Sequence, residues 1–147
     1  MIQYEQNCDP QLSPPQKDLV EKIVQKVFAD QKVNDGNISI IFGSDELLTS
    51  LKNKFFNLDH FTDVIAFRLN TYNENHIDGE IYISLPRAKE NSIEFEEPFE
   101  KEVSRLIIHG CLHLIGFNDD TEKKKEEMHK IEDAYLSFLD WEYLFGD

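Results

Sequence analysis

The chain has 147 residues, of which 40% are hydrophobic, 12% aromatic and 30% charged, so we predict one domain over residues 1–147 and exclude a disordered or collagen-like protein. Its 15 Lys and Arg residues against 29 Asp and Glu residues give a net charge of −14, which argues against broad, nonspecific binding to nucleic acid or anionic membranes. A local nucleic-acid site built from a few cations and a bound metal ion is compatible with this charge.

The sequence indicates a protein of the reducing cytoplasm. No apolar run approaches the length that spans a bilayer, and the start, Met1 to Glu5, lacks the basic-then-apolar order of a secretory signal. Cys8 and Cys111 lie far apart in the sequence and do not suggest a disulfide framework.

The first half of the chain predicts a helix, a strand and a second helix. Apolar residues at helical spacing predict an amphipathic helix over about 14–32, with Ser13 as a possible cap. A turn at residues 34–37 leads into the β-rich segment Ile38–Phe42. Ser44–Asp45 then caps a second helix.

The second half predicts further strands followed by two closing helices. Val64–Phe67 and Ile81–Leu85 are typical of buried strands, the latter entered through a turn at Asp78–Gly79. One helix runs from near Pro98 to about Ile115, and the last covers roughly residues 121–139. We therefore predict an α/β (α+β) fold in which a small mixed four-stranded sheet packs against about five helices.

The helix that ends near Ile115 carries a narrow polar stripe. Apolar residues occupy most of its circumference, which predicts a central, buried helix. The stripe holds Glu102, Arg105, His109 and His113. Because His109 and His113 are four residues apart, their imidazoles project from the same face, one turn apart.

Residues after this helix offer a third metal ligand. Gly116 can adopt the left-handed conformation that ends a helix, so that the chain doubles back and brings in the carboxylate of Asp119. Two imidazoles and one carboxylate form a three-ligand zinc site of the catalytic kind, with one ion per chain. Asn118 and Asp120 compete with Asp119, and by spacing we assign ligation to Asp119 and capping of the last helix to Asp120.

A purely structural interpretation is also open. Two helix histidines satisfied by core hydrogen bonds and an aspartate that caps the next helix would produce the same pattern. The position after His109 is Gly110, where zinc peptidases with paired helical histidines carry a glutamate base. The sequence therefore favours a substrate that brings its own anionic oxygens, as a phosphodiester does, over a peptide.

These residues resemble the YbeY family of bacterial endoribonucleases, whose pattern is HGxLHLxGYDH. The segment from His109 to Asp119 reads HGCLHLIGFND. Thr62–Phe67 is similar to the family's TDVLSF strand, and Asp78–Ile83 to its LGDIxI strand. Met128 and Glu132 fall where the family tends to have Met and Glu in its last helix.

The resemblance implies a YbeY-like metallohydrolase domain that cleaves single-stranded RNA. Family members are expected to act in maturation of the 16S rRNA 3′ end and in ribosome quality control, so the implied partners are rRNA and the ribosome or its proteins, with neither DNA nor membrane. A metal-activated water would attack the phosphodiester, with zinc as the expected cofactor and another divalent ion as an alternative.

Two residues depart from the family pattern. Asp119 replaces the third histidine, an exchange that zinc tolerates because carboxylate oxygen is also a normal ligand. Phe56 stands where the family commonly has the arginine of YRxxD, within the segment Lys54–Asp59. Because phenylalanine cannot bind a phosphate, either another cation contacts it or cleavage is impaired. The candidate cations are Arg68 first, with Arg105 and Arg87 after it.

Two other functions remain open at this point. The missing arginine favours a non-catalytic ribosome assembly factor that keeps a zinc site. A zinc hydrolase of amide bonds is a further alternative, which Gly110 disfavours. Phe117 and Tyr82 are candidates for stacking on RNA bases.

Overall fold

The computed structural model describes residues 1–56, 62–72 and 75–146, which form four strands and five helices. In chain order these are β1 (Ile2–Cys8), α1 (Lys17–Asp30), β2 (Asp35–Gly43), α2 (Asp45–Phe56), β3 (Val64–Arg68), β4 (His76–Ser84), α3 (Leu85–Glu94), α4 (Phe99–Ile115) and α5 (Glu122–Leu136). Of the helices in these ranges, none combines the length and the apolar character needed to cross a membrane.

The four strands form one mixed sheet in the order β1-β2-β4-β3. β1 and β4 run parallel to β2, whereas β3 is the antiparallel edge strand beside β4. The register places Ile81 of β4 between Ile40 and Ala66 of its two neighbours. The prediction of a small mixed four-stranded sheet with about five helices is therefore confirmed.

Helix α4 lies at the centre of the core, as its apolar circumference predicted. Val103, Ile107, Ile108, Cys111 and Leu112 are all inaccessible to solvent. The helix contacts α1, α3 and α5 as well as β3 and β4, and Arg105, His109 and His113 of its polar stripe remain partly exposed. The burial of α4 fixes the direction in which His109 and His113 project.

Helix α4 packs closely on β4 because two glycines remove side chains from the contact. A Cβ added to Gly110 would lie 2.6 Å from Cγ2 of Ile81, and one added to Gly79 would lie 2.7 Å from Cδ1 of Leu114. The predicted turn at Asp78–Gly79 is wrong, since both residues lie inside β4. Gly79 is required there by the close approach of the helix, which a sequence pattern does not distinguish from a turn.

Two elements have no counterpart among the predicted ones. β1 is a parallel edge strand in which polar residues face solvent, so only Ile2 gives it a fully buried apolar residue. The strand predicted to end at Leu85 ends at Ser84, the last residue of β4, and α3 begins at Leu85. The Ser84 hydroxyl accepts a hydrogen bond from the Arg87 backbone N–H at 3.1 Å and caps this helix.

Two helix ends also differ from the prediction. α1 begins at Lys17 with Gln16 at its cap, so Ser13 does not cap it. α5 is capped by Thr121, whose hydroxyl accepts from the Lys124 N–H at 3.1 Å, and it ends at Leu136. The assignment of this cap to Asp120 is therefore wrong, and the Asp120 carboxylate lies 3.4 Å from the Lys124 ammonium.

We predict that Gly110→Ala destabilises the protein although alanine favours helices. The helical preference of alanine contributes about 1 kcal/mol, but forcing a methyl group against buried Ile81 costs about 1–3 kcal/mol. Urea unfolding should show a net loss of up to about 2 kcal/mol. In an Ile81→Ala background, which removes the clashing atoms, Gly110→Ala should cost less; an equal cost in both backgrounds would contradict this packing.

Candidate metal centre

Two imidazoles face each other on the polar stripe of α4. The Nε2 atoms of His109 and His113 lie 3.0 Å apart. Their ring planes are inclined by 73°, with centroids 4.6 Å apart, so the rings converge through their edges. Both side chains are partly buried, at 21% and 29% exposure, and solvent therefore reaches the point at which they converge.

The end of α4 turns the chain back toward these rings. Gly116 adopts φ +123°, a region that favours glycine, and its N–H donates to the carbonyl oxygens of Leu112 and His113 at 3.1 Å. The Asp119 carboxylate then reaches both imidazoles. Its Oδ2 lies 3.6 Å from His109 Nε2, and its Oδ1 lies 3.5 Å from His113 Nε2.

The three donor atoms have the spacing of a tetrahedral metal site. Zinc bound at about 2.0–2.1 Å in tetrahedral geometry requires ligand atoms about 3.3–3.4 Å apart. The distances of 3.0, 3.5 and 3.6 Å bracket this value. The structure thus brings together His109, His113 and Asp119, the three residues singled out in the sequence, as a group that could hold a divalent ion.

A buried carboxylate orients the first of these imidazoles. Nδ1 of His109 lies 2.7 Å from Oε2 of Glu132, whose side chain is only 5% exposed. Glu132 also accepts from the Arg105 guanidinium at 3.2 Å through its other oxygen. A proton held on Nδ1 leaves the Nε2 lone pair directed at the donor set, as in carboxylate–histidine–zinc sites.

The pKa values of the two imidazoles are shifted in opposite directions. Burial would lower the pKa of His109, but the adjacent Glu132 carboxylate outweighs burial and raises it. Burial, together with the neighbouring His109, lowers the pKa of His113. A hydrogen bond to the Phe117 backbone also holds the His113 ring. His113 is thus favoured in the neutral form that binds metal.

Three cavities meet at His109. One of about 490 Å³ extends from it toward Arg105 and Glu102. A second, of about 340 Å³, is lined by His113 and Asp119 and extends toward Lys52. A third, of about 190 Å³, borders His109 and Asp119 near α5. We call the second of these the ligand cavity, because all three donor residues line it.

A further carboxylate lines both larger cavities and was not singled out in the sequence. Asp63, just before β3, borders the ligand cavity and its 490 Å³ neighbour. Its Oδ2 accepts from Asn91 Nδ2 at 3.0 Å, and the same amide reaches Glu102 at 3.2 Å. Burial raises the pKa of Glu102. Asp63, Asn91 and Glu132 are distant in sequence, and the family resemblance could have indicated a role only for Asp63 and Glu132.

The arginines predicted to contact phosphate are engaged elsewhere. Arg68 donates to the carbonyl oxygens of Leu114 and Thr71 at 2.8 and 3.0 Å, and to the Asn70 side chain at 2.7 Å. It lies outside the residues that line the three cavities. Arg105 borders the 490 Å³ cavity but pairs with Glu132 and, at 2.6 Å, with Asp133.

Phe56 lies where the family arginine is expected, on the wall of the ligand cavity. Lys52, one turn earlier on α2, lines the same cavity, and its ammonium nitrogen lies 4.8 Å from the centroid of the Phe56 ring. Residues 57–59 of the YRxxD-like segment lie outside the described residues. Phe117 and Tyr82, the predicted stacking aromatics, do not line any of the three cavities.

A family model and curated relatives that match this chain carry the same description. A family model described as "Endoribonuclease YbeY" matches residues 2–140. The protein of that name from Karelsulcia muelleri is 42% identical over 107 residues, covering 73% of this chain and 74% of the relative. The one from Chloroherpeton thalassium is 38% identical over 120 residues, covering 82% and 84%.

A solved structure shares the fold. It is the solution structure of a Thermotoga maritima protein with 28% sequence identity and a TM-score of 0.60. The superposition covers 93% of this chain and 87% of that protein.

We predict that Glu132→Gln weakens metal binding about 10–100-fold, the usual effect of losing the partner of a ligating histidine. Glutamine keeps the shape of the glutamate side chain, but it no longer holds a proton on Nδ1 of His109. Competition for zinc with a chelating dye measures the change, and Glu127→Gln, on the exposed face of the same helix, is the matched control. Equal zinc affinity in the two variants would contradict the orienting role of Glu132.

Proposed function

The chain belongs to the YbeY endoribonuclease family, and from that premise we propose that it hydrolyses single-stranded RNA at a zinc ion held by His109, His113 and Asp119. We extend the proposal to maturation of the 16S rRNA 3′ end on the ribosome in the cytoplasm, which the family likeness supports. The observation that carries the catalytic part is the triangle of donor atoms 3.0–3.6 Å apart beside a solvent-accessible cavity.

The donor set supports hydrolysis rather than a purely structural metal. Structural zinc sites are closed by four protein ligands, whereas three protein ligands leave one position for water or substrate. In the described residues, the group capable of holding a metal consists of His109, His113 and Asp119 alone. A divalent ion held there would supply a Lewis acid for a phosphate oxygen and a hydroxide nucleophile at neutral pH.

Side chains around the site supply positioning and proton transfer. Glu132 keeps the proton on Nδ1 of His109, so that Nε2 stays available as a ligand. Gly110 occupies the position of the peptidase base, and Asp63 is our candidate acceptor of the proton lost by the attacking water. Asp63 lines the ligand cavity, and Asn91 holds its carboxylate through one oxygen.

The size of the ligand cavity supports a single-stranded substrate. At about 340 Å³ it lies at the small end of the range of ligand pockets, roughly 300–1,000 Å³. A cavity of this size accepts one nucleotide unit of a flexible strand, whereas a duplex would need a broad groove. A non-catalytic assembly factor is the second candidate function, because Phe56 replaces the family arginine on the wall of this cavity.

We predict that His113→Ala loses both metal and RNA cleavage. Loss of the activated nucleophile should cost more than loss of an orienting partner, so cleavage should fall at least about 100-fold. Elemental analysis of the purified variant and single-stranded RNA cleavage at saturating zinc give the two readouts. His76→Ala is the control, because His76 does not line any of the three cavities.

The same experiment separates the candidate functions. Zinc retained by the wild type, without cleavage in either protein, would overturn the nuclease and favour the assembly factor. Cleavage of unstructured peptides in place of RNA would indicate an amide hydrolase. Zinc content unchanged in His113→Ala would overturn the ligand assignment itself.

We predict that Asp63→Asn lowers kcat for RNA cleavage about 10²–10⁴-fold, the usual contribution of a general base. Zinc content should be unchanged, because Asp63 is not one of the three donors. Glu97→Gln serves as control, since Glu97 borders the 490 Å³ cavity without lining the ligand cavity. Equal kcat values for the two variants would show that another group accepts the proton.

A further inference from the structure

An RNA strand at the ligand cavity requires a positive partner for its phosphates. The chain carries a net charge of −14, so the long-range field of the protein opposes the approach of a polyanion. Asp119 adds a carboxylate to the cavity wall beside Asp63. Binding therefore depends on cations that face the cavity directly and whose charge is not already compensated.

The cations near the site differ in how their charge is compensated. Arg105 pairs with Glu132 and Asp133. Lys125, on the border of the 190 Å³ cavity, lies 3.7 Å from Glu122. Lys52 makes no ion pair with any carboxylate of the described residues, and it lines the ligand cavity together with the metal donors.

The Lys52 ammonium is held by an aromatic ring in place of a carboxylate. Its nitrogen lies 4.8 Å from the centroid of Phe56, within the range of a cation–π contact. Phe56 in turn stacks on Phe67 of β3, with centroids 6.0 Å apart and planes inclined by 20°. Since Lys52 and Phe56 are four residues apart on α2, they share one helix face. The ring therefore positions the ammonium without neutralising it.

Charge also distinguishes the two larger cavities. The 490 Å³ cavity is bordered by Asp63, Glu97, Glu102 and Glu132, which outnumber Arg105. In the ligand cavity the carboxylates are Asp63 and the metal donor Asp119, and Lys52 opposes them. A bound divalent ion would offset the charge of Asp119. An RNA strand therefore meets less electrostatic repulsion in the ligand cavity, on the side of Lys52, than in the 490 Å³ cavity.

We infer that Lys52 binds a phosphate of the RNA strand next to the three metal donors, with Phe56 as the residue that positions its ammonium. This inference rests on the proposed endoribonuclease function. It assigns the phosphate contact to α2 and not to Arg68, whose donors are occupied by oxygens of the residues around it.

Steady-state cleavage of a single-stranded RNA oligomer tests this assignment. We expect Lys52→Ala and Lys52→Gln to lower kcat/KM about tenfold, which is about 1.4 kcal/mol, mainly through KM, because each removes one charged contact to the strand. The slope of log kcat/KM against log salt should decrease by about 0.7, the value for one phosphate contact on a single strand. Lys52→Arg should retain most of the activity, because arginine also binds phosphate.

Lys54→Ala is the matched control. Lys54 lies on the same helix, with its ammonium 5.4 Å from the centroid of Phe55, but it does not line the ligand cavity. Equal KM and equal salt slope for Lys52→Ala and Lys54→Ala would overturn the assignment, as would a loss confined to Lys125→Ala. If His113→Ala abolishes cleavage while Lys52→Ala matches the control, the lysine assignment fails and the nuclease stands.

Discussion

The convergence of His109, His113 and Asp119 depends on where one helix is buried and where it ends. Between Glu102 and Leu114, α4 turns only Arg105, His109 and His113 toward solvent, because its remaining faces contact three helices and two strands. The pair of glycines between α4 and β4 sets how closely the helix approaches the sheet. Gly116 then ends the helix at φ +123° and returns the chain toward the imidazoles. The donor set is thus a consequence of core packing and one backbone reversal.

Charged groups around the donor set form a connected network. Glu132 links His109 to Arg105, so the orientation of the ligand and the burial of an arginine depend on the same carboxylate. The buried Glu132 carboxylate has Arg105 as an opposite partner, which offsets the cost of its desolvation. Asn91 joins Asp63 to Glu102 on the other side of the larger cavity. The side chains around the candidate metal site therefore include residues from α3, α4 and α5.

The two departures from the family pattern lie on the wall of one cavity. Asp119 in place of histidine adds a negative charge, and Phe56 in place of arginine removes a positive one. Both changes make the ligand cavity more negative than the family pattern implies. Lys52, which makes no ion pair within the described residues, lines the same cavity with its ammonium over the Phe56 ring.

The sequence by itself determined the buried helix, the shared face of the two imidazoles and the approach of the carboxylate after Gly116. These features arise from local spacing: helical periodicity places His109 and His113 on one face, and a glycine permits the reversal. Strand β1 and helix α3 were missed, because a polar edge strand and a short surface helix have weak apolar patterns. Only the tertiary structure decided which residues surround the donors. Glu132, Asp63 and Lys52 reach the site from distant parts of the sequence. Packing between elements, which no local pattern encodes, directs Arg68 to backbone carbonyls and leaves Lys52 facing the cavity.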